Sequence, residues 1–280
     1  MNEVQTFVFE DLGIRGAIVR LEETWRQVLA QHHYPEPLRR LLGEGVAAAV
    51  LLATGLKGRP RLSLQLQSEG PVKLLLIQCS SEFNVRGMAH WRQSRDSEPL
   101  LGSGRLAVNL EAQEGGFSFQ GIVPLVGETL DTCLEAYFAQ SEQLPTRLLL
   151  ATEDQRVAGM LLQVLPASDR EPAFDTVAAL AHTVSAAELN DLPAASLLRR
   201  LFPAYELRVF KPRPVAHDCR CTAEHLAGVV RMLGAGELET LLAETGRVEI
   251  TCEFCNRSFR YDEQAVAEIF EGHSPAQRLH

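Results

Sequence analysis

The chain has no surplus of basic residues, no apolar run long enough to cross a bilayer, and no phosphate-binding glycine loop. Lysine and arginine number 27 against 36 aspartates and glutamates, for a net charge of −9. The basic footprint that nucleic acid requires is therefore missing. The longest apolar stretch, VAAAVLLATGL at 46–56, has 11 residues. That is too few for a membrane span and suits a buried helix. The N-terminal MNEVQTFVFEDLG lacks a basic segment followed by an apolar one, so no secretory signal is read there and a cytoplasmic location is expected. No G-x-x-x-x-G-K-[ST] occurs, which leaves no cradle for a nucleotide phosphate. Internal repeats and low-complexity tracts are also absent. Cysteine is scarce, six residues in 280, yet four of the six fall in two short motifs, HDCRCTAEH at 217–225 and ITCEFCNRSF at 250–259.

What is present is ordinary globular material, 46% hydrophobic and 22% charged, enough for a substantial core. Its length suggests two domains, or one domain with an appendage. TFVFEDLGIRGAIVRL reads as strand, turn, strand. LEETWRQVLAQHH (21–33) reads as an amphipathic helix, and 38–57 as a second helix, apolar nearly all round. Alternation predicts strands at 61–67, 72–78, 105–111 and 117–125, then a helix over 128–145 and a hairpin over 146–165. Strands and helices mix without regular βαβ spacing, so the fold class is α+β. We read 1–165 as a core domain and 166–212 as a helical linker, with PASDREPAF at the boundary and a capping box at Ser185–Glu188. A short strand and a proline-rich hinge follow within ELRVFKPRPVAHD. The remainder, 213–280, is a small C-terminal domain with a strand–knuckle–strand and a polar, fraying end over the last ten residues.

Cys219 and Cys221 form a C-x-C, Cys252 and Cys255 a C-x-x-C, with 30 residues between the pairs. Paired short spacings separated by a longer segment are the signature of a tetrahedral zinc site, and four thiolates close the shell of one ion. A closed shell leaves no position for substrate, so no enzyme is expected here. Most such sites are inert staples, but three considerations favour a switch. Zn–S bonds of about 2.3 Å hold sulfurs roughly 3.8 Å apart as thiolates, the form oxidants attack. A unit of about 50 residues has a marginal core, while structural zinc contributes on the order of 10–16 kcal/mol. Disulfides within each pair close loops of only three or four residues, for roughly 2 kcal/mol each, and do not tie the pairs together. Pairing across the motifs staples the unit instead, and the spacing leaves both alternatives open.

FEDLGIRGAIVRLEETW, LLGEGVAAAVLLATGLK, GPVKLLLIQC, QGIVPLVGETL, YFAQSEQLPTRLLLA, KPRPVAHDCRC and TCEFCNRSFRYD occur in this order along the chain. Together they closely resemble the redox-regulated chaperone family called heat-shock protein 33. The resemblance implies an ATP-independent holdase that is inactive when reduced and zinc-bound. Oxidation then forms disulfides within each pair, 219–221 and 252–255, and releases zinc. The cysteine domain and linker unfold, exposing apolar surface that captures unfolding client proteins. Dimerisation accompanies activation in the family. The ligand and redox roles fall on Cys219, Cys221, Cys252 and Cys255.

Other residues carry less. Cys79 and Cys133 read as buried small hydrophobes, and Trp25 and Trp91 as packing residues. His217 and His225 flank the C-x-C and read as solvated side chains rather than ligands. Glu10 and Asp11 are adjacent acids in a turn, too divergent for acid–base chemistry. Two other functions compete. A thiol–disulfide oxidoreductase needs Cys252 and Cys255 at a helix N-terminus, and a passive zinc-bearing binding module needs a partner surface.

Overall fold

Gly13, at φ 60°, turns strand β1 (Asn2–Phe9) back into β2 (Ile14–Leu21). A computed structural model of the chain describes residues 1–58, 60–93, 98–111, 119–166 and 171–270. The predicted fraying end at 271–280, residues 117 and 118 of the strand read at 117–125, and most of the polar boundary at 167–170 lie outside the described residues. The chain forms two compact units, Met1–Asp218 and Cys219–His280.

In the first unit β2 leads into α1 (Glu23–Leu29) and α2 (Glu36–Ala53). Strands β3 (Arg61–Ser68), β4 (Val72–Ser80), β5 (Asn84–Trp91), β6 (Gly104–Glu111) and β7 (Phe119–Pro124) follow. Next come α3 (Leu130–Tyr137), a π-helical turn over Phe138–Glu142, and the hairpin β8 (Thr146–Thr152) and β9 (Val157–Val164). The linker supplies α4 (Glu171–Ala181), α5 (Ala186–Asp191) and α6 (Ala194–Leu201). Short strands β10 (Leu207–Val209), β11 (Arg213–Pro214) and β12 (Ala216–His217) end the unit. One sheet has the order β10-β1-β2-β9-β8, with β11 also on β1; the other runs β12-β5-β4-β3-β6-β7.

The unbroken apolar character of α2 has a direct cause. It packs on β8 and β9 of the first sheet and on β3, β4 and β5 of the second, so beyond the exposed Glu36, Pro37 and Arg40 of its start little of it meets water. At Gly45 an added Cβ would lie 2.6 Å from Ile77 Cδ1, so a larger residue would have to push the Ile77 side chain aside. Strand β2 sends alternate residues to opposite sides. Ala17, Val19 and Leu21 join the core around α2, whereas Ile14 and Ile18 join a second core with Phe7, Phe9, Met160 and Leu162. Phe174, Val177, Leu197, Leu198 and Phe202 of the linker helices cover that second core. The predicted capping box is present: Glu188 N–H donates to Ser185 Oγ and Ser185 N–H to Glu188 Oε2.

Several elements differ from the sequence reading. The first helix is shorter than 21–33, because Leu21 is claimed by pairing with Asn2 and Val157. The helix read over 128–145 is α-helical only to Tyr137, then loosens into the π turn and ends at Gln143 in the left-handed region. Strand β5 was not anticipated: Gly87 and flanking polar residues interrupt its apolar pattern. The proline-rich stretch is not a free hinge. Arg213 and Pro214 pair with β1, and Ala216 and His217 pair in parallel with β5.

The second unit contains α7 (Ala223–Leu233), α8 (Ala235–Thr245), the hairpin β13 (Val248–Thr251) and β14 (Ser258–Tyr261), and α9 (Glu263–Phe270). Its core is small: Ala227, Val230, Leu238, Val248, Tyr261, Val266 and Ile269. Gly234 and Gly246, at φ 85° and 72°, end the two helices that precede the hairpin, as expected from the sequence. Asp262 Oδ1 accepts from Ala265 N–H and caps α9.

Candidate metal and redox centre

The knuckle at Cys252 and Cys255 is built by the hairpin. Cys252 N–H donates to Arg257 O and Asn256 N–H to Cys252 O, with Asn256 at φ 51°. Asparagine tolerates that left-handed conformation better than most residues. The turn carries both sulfurs to one side, above Ile250 and Phe259. Cys219 and Cys221 lie in the extended segment entering α7, whose first turn is capped by Thr222 through His225 N–H. Leu226 and Phe254 complete the apolar surround.

All four Sγ atoms lie within 4.8 Å of one another. Cys219 Sγ is 3.6 Å from Cys252 Sγ, and Cys221 Sγ is 3.2 Å from Cys255 Sγ. Cys221 and Cys252 are buried; Cys219 and Cys255 are half-buried. Both spacings are somewhat shorter than the separation of about 3.8 Å expected for tetrahedral thiolates around zinc, and the whole set fits around one ion. Electrostatics point the same way. Burial pushes the Cys221 thiol well up, and the neighbouring thiols of Cys255, Cys219 and Cys252 add to the effect. At Cys252 burial also opposes ionisation, but the N–H groups of Cys255 and Phe254 outweigh it and hold the thiol below its ordinary value. Four thiolates this close repel one another strongly unless a divalent cation sits among them. The donor set is therefore that of a soft-metal site.

Among the described residues the cluster consists of these four cysteines and no histidine. His225 is exposed. His217 is not simply solvated as the sequence suggested. It is half-buried in β12, where burial lowers its imidazole with Asp218 opposing. Cys79 and Cys133 are buried and do not belong to the cluster, and burial raises both thiols. Trp25 is fully buried as expected, but Trp91 is 42% exposed at the end of β5 and is not a packing residue. Glu10 pairs with Arg208, not with Asp11. Neither Cys252 nor Cys255 opens a helix, so the dipole activation an oxidoreductase needs is missing.

The family model described as Hsp33 protein matches residues 2–262. A 33 kDa chaperonin of Shewanella woodyi is 40% identical over 274 residues, covering 96% of each chain. Another, from Ectopseudomonas mendocina, is also 40% identical and covers 100% of both chains. The crystal structure of a Thermotoga maritima 33 kDa chaperonin, a heat shock protein 33 homolog, superposes with a TM-score of 0.83 at 22% identity. That match spans 97% of this chain and 99% of the other.

Proposed function

The chain belongs to the Hsp33 family of chaperones, and from that premise we propose that it is a redox-regulated, ATP-independent holdase whose switch is the four-cysteine centre. The observation that supports this most is the convergence of two thiol pairs, 30 residues apart in sequence, within 4.8 Å. Cys219, Cys221, Cys252 and Cys255 would hold one zinc ion. When bound, the metal supplies a cation that keeps all four sulfurs as thiolates and ties the C-x-C to the hairpin.

Oxidation removes the ligands. Two thiols and one peroxide give one disulfide and two waters, so two peroxides consume all four sulfurs. We assign the disulfides to 219–221 and 252–255. Two short sulfur separations run across the motifs, at 3.6 and 3.2 Å. Cross-linking along those lines would retain the tie and defeat the switch, so connectivity is the decisive measurement. Within-pair bonds leave the unit from Cys219 onward with its small core alone, which is marginal at this size.

In functional terms we divide the protein into a chaperone core at 1–165, a linker at 166–212 and a redox domain at 213–280. Release of the linker would bare the outer face of the first sheet, where Phe7, Phe9, Ile18 and Met160 are buried. A large contiguous apolar surface of that kind captures unfolding clients. The active form is a homodimer in this reading, and the protein works in the cytoplasm, binding neither nucleic acid nor membrane. No helix among the described residues is long and apolar enough to cross a membrane.

The test treats reduced, zinc-loaded protein with peroxide at mildly elevated temperature. Zinc release, disulfide connectivity by mass spectrometry, and suppression of light scattering by an unfolded client are followed together. Zinc loss, within-pair bonds and a gain of suppression are expected. Full suppression by the reduced form defeats the proposal.

A further inference from the structure

The linker helices bury an arginine. Arg20 lies on β2, on the same face as Ile14 and Ile18, which serve the core beneath the linker. It is only 6% exposed. Its Nε donates to Leu189 O of α5 at 2.8 Å. Its Nη2 is buried and has no hydrogen-bond partner among the described residues. Burial lowers the guanidinium below its ordinary value, and Glu3, opposite Arg20 in the β1–β2 register, works against that shift. A cleft of about 130 Å³, lined by Arg20, Arg156, Asn190 and Asp191 among others, lies at this end of α5. Arg156, by contrast, is half-exposed and pairs with both Glu153 and Asp191.

A guanidinium has five N–H donors and cannot shed its charge. Burying one beneath α5, while leaving a nitrogen unpaired, costs free energy because its hydration is lost. That cost exists only while α5 is docked. Lifting α5 returns Arg20 to water and loses one hydrogen bond to Leu189 O. The exposed Arg156–Asp191 ion pair and the apolar contacts of the linker hold the helices down.

We infer that Arg20 is a release residue: it keeps α5 docked more weakly than the surrounding apolar contacts would, so that the linker leaves the sheet when the zinc unit unfolds. This role rests on the proposed switch, but its local part can be measured without any oxidant. Buried ionic groups replaced by apolar residues of similar volume commonly stabilise the structure that covers them. In full-length, reduced, zinc-loaded protein, Arg20→Met should slow amide exchange in 186–201 by about tenfold while leaving α2 unchanged. Glu3→Gln leaves Arg20 in place but removes its compensating charge, and should speed the same exchange a few-fold. After peroxide treatment, Arg20→Met should gain client suppression more slowly than the natural protein while losing zinc at the same rate. Faster exchange in Arg20→Met, or no change in Glu3→Gln, overturns the inference by making Arg20 a tether. If Arg20→Met does not fold, Glu3→Gln decides alone. Slower exchange without client capture by either oxidised protein supports the docking role and defeats the switch.

Discussion

At the scale of single residues, burial decides chemistry more than residue type does. Glu44 on α2 is half-buried; burial, then repulsion from Asp131, raises its carboxyl to about 7, with Arg40 opposing. A folded value above the unfolded 4.5 means the native state holds an extra proton between the two. The stability this contributes is therefore complete below about pH 4.5 and is lost as pH rises through about 7. Glu44→Gln should match the natural protein near pH 4.5. At pH 8 it should be about 1–3 kcal/mol more stable, read from urea midpoints of the first unit. The four ligand cysteines behave as a set. Cys252→Ser leaves three thiolates, so zinc affinity and protease resistance of residues 219–270 should both collapse while the core over 1–165 melts unchanged. All four were legible in the sequence, because C-x-C and C-x-x-C are local patterns. Arg20 was not: within GAIVRL it looks like the polar member of an alternating strand. Only the covering of both faces of that sheet buries it.

Among the elements, the linker helices show most clearly how local pattern and tertiary context divide the work. Helix α6 buries Ala194, Leu197, Leu198 and Leu201 and turns Arg199 and Arg200 outward, the stripe of a helix with one partner face. The capping box of α5 and the glycines after α7 and α8 were legible because the signals that start or stop a helix lie within a few residues. Strand β5, the early end of α3 and the pairing of 213–217 were not, since partners distant in sequence create them. Leu197 is fully buried against the first sheet. Leu197→Ala should loosen the linker by about 2–5 kcal/mol. The reduced, zinc-loaded variant is then expected to suppress client aggregation measurably, where the natural protein does not. Light scattering with a chemically unfolded client checks this.

For the molecule as a whole, the contrast between its two units carries the functional argument. The first has two large cores on either side of one sheet, and the second has a seven-residue buried core and a four-thiol centre. In the proposed switch, zinc binding on the order of 10–16 kcal/mol exceeds what so small a core supplies. Chelating the metal from reduced protein should abolish slow amide exchange in 219–270 while α2 and β2–β4 stay protected. Persistence of a cooperative transition in the second unit without metal would count against the switch. The sequence by itself determined the α+β class, the buried central helix, the small tail and the four cysteines of its cluster, because spacing and periodicity are properties of neighbouring residues. Tertiary structure alone decided that 213–217 is stitched into both sheets and that an arginine lies beneath the linker. Each depends on segments brought together from 30 or more residues apart, where burial rather than pattern sets the energy.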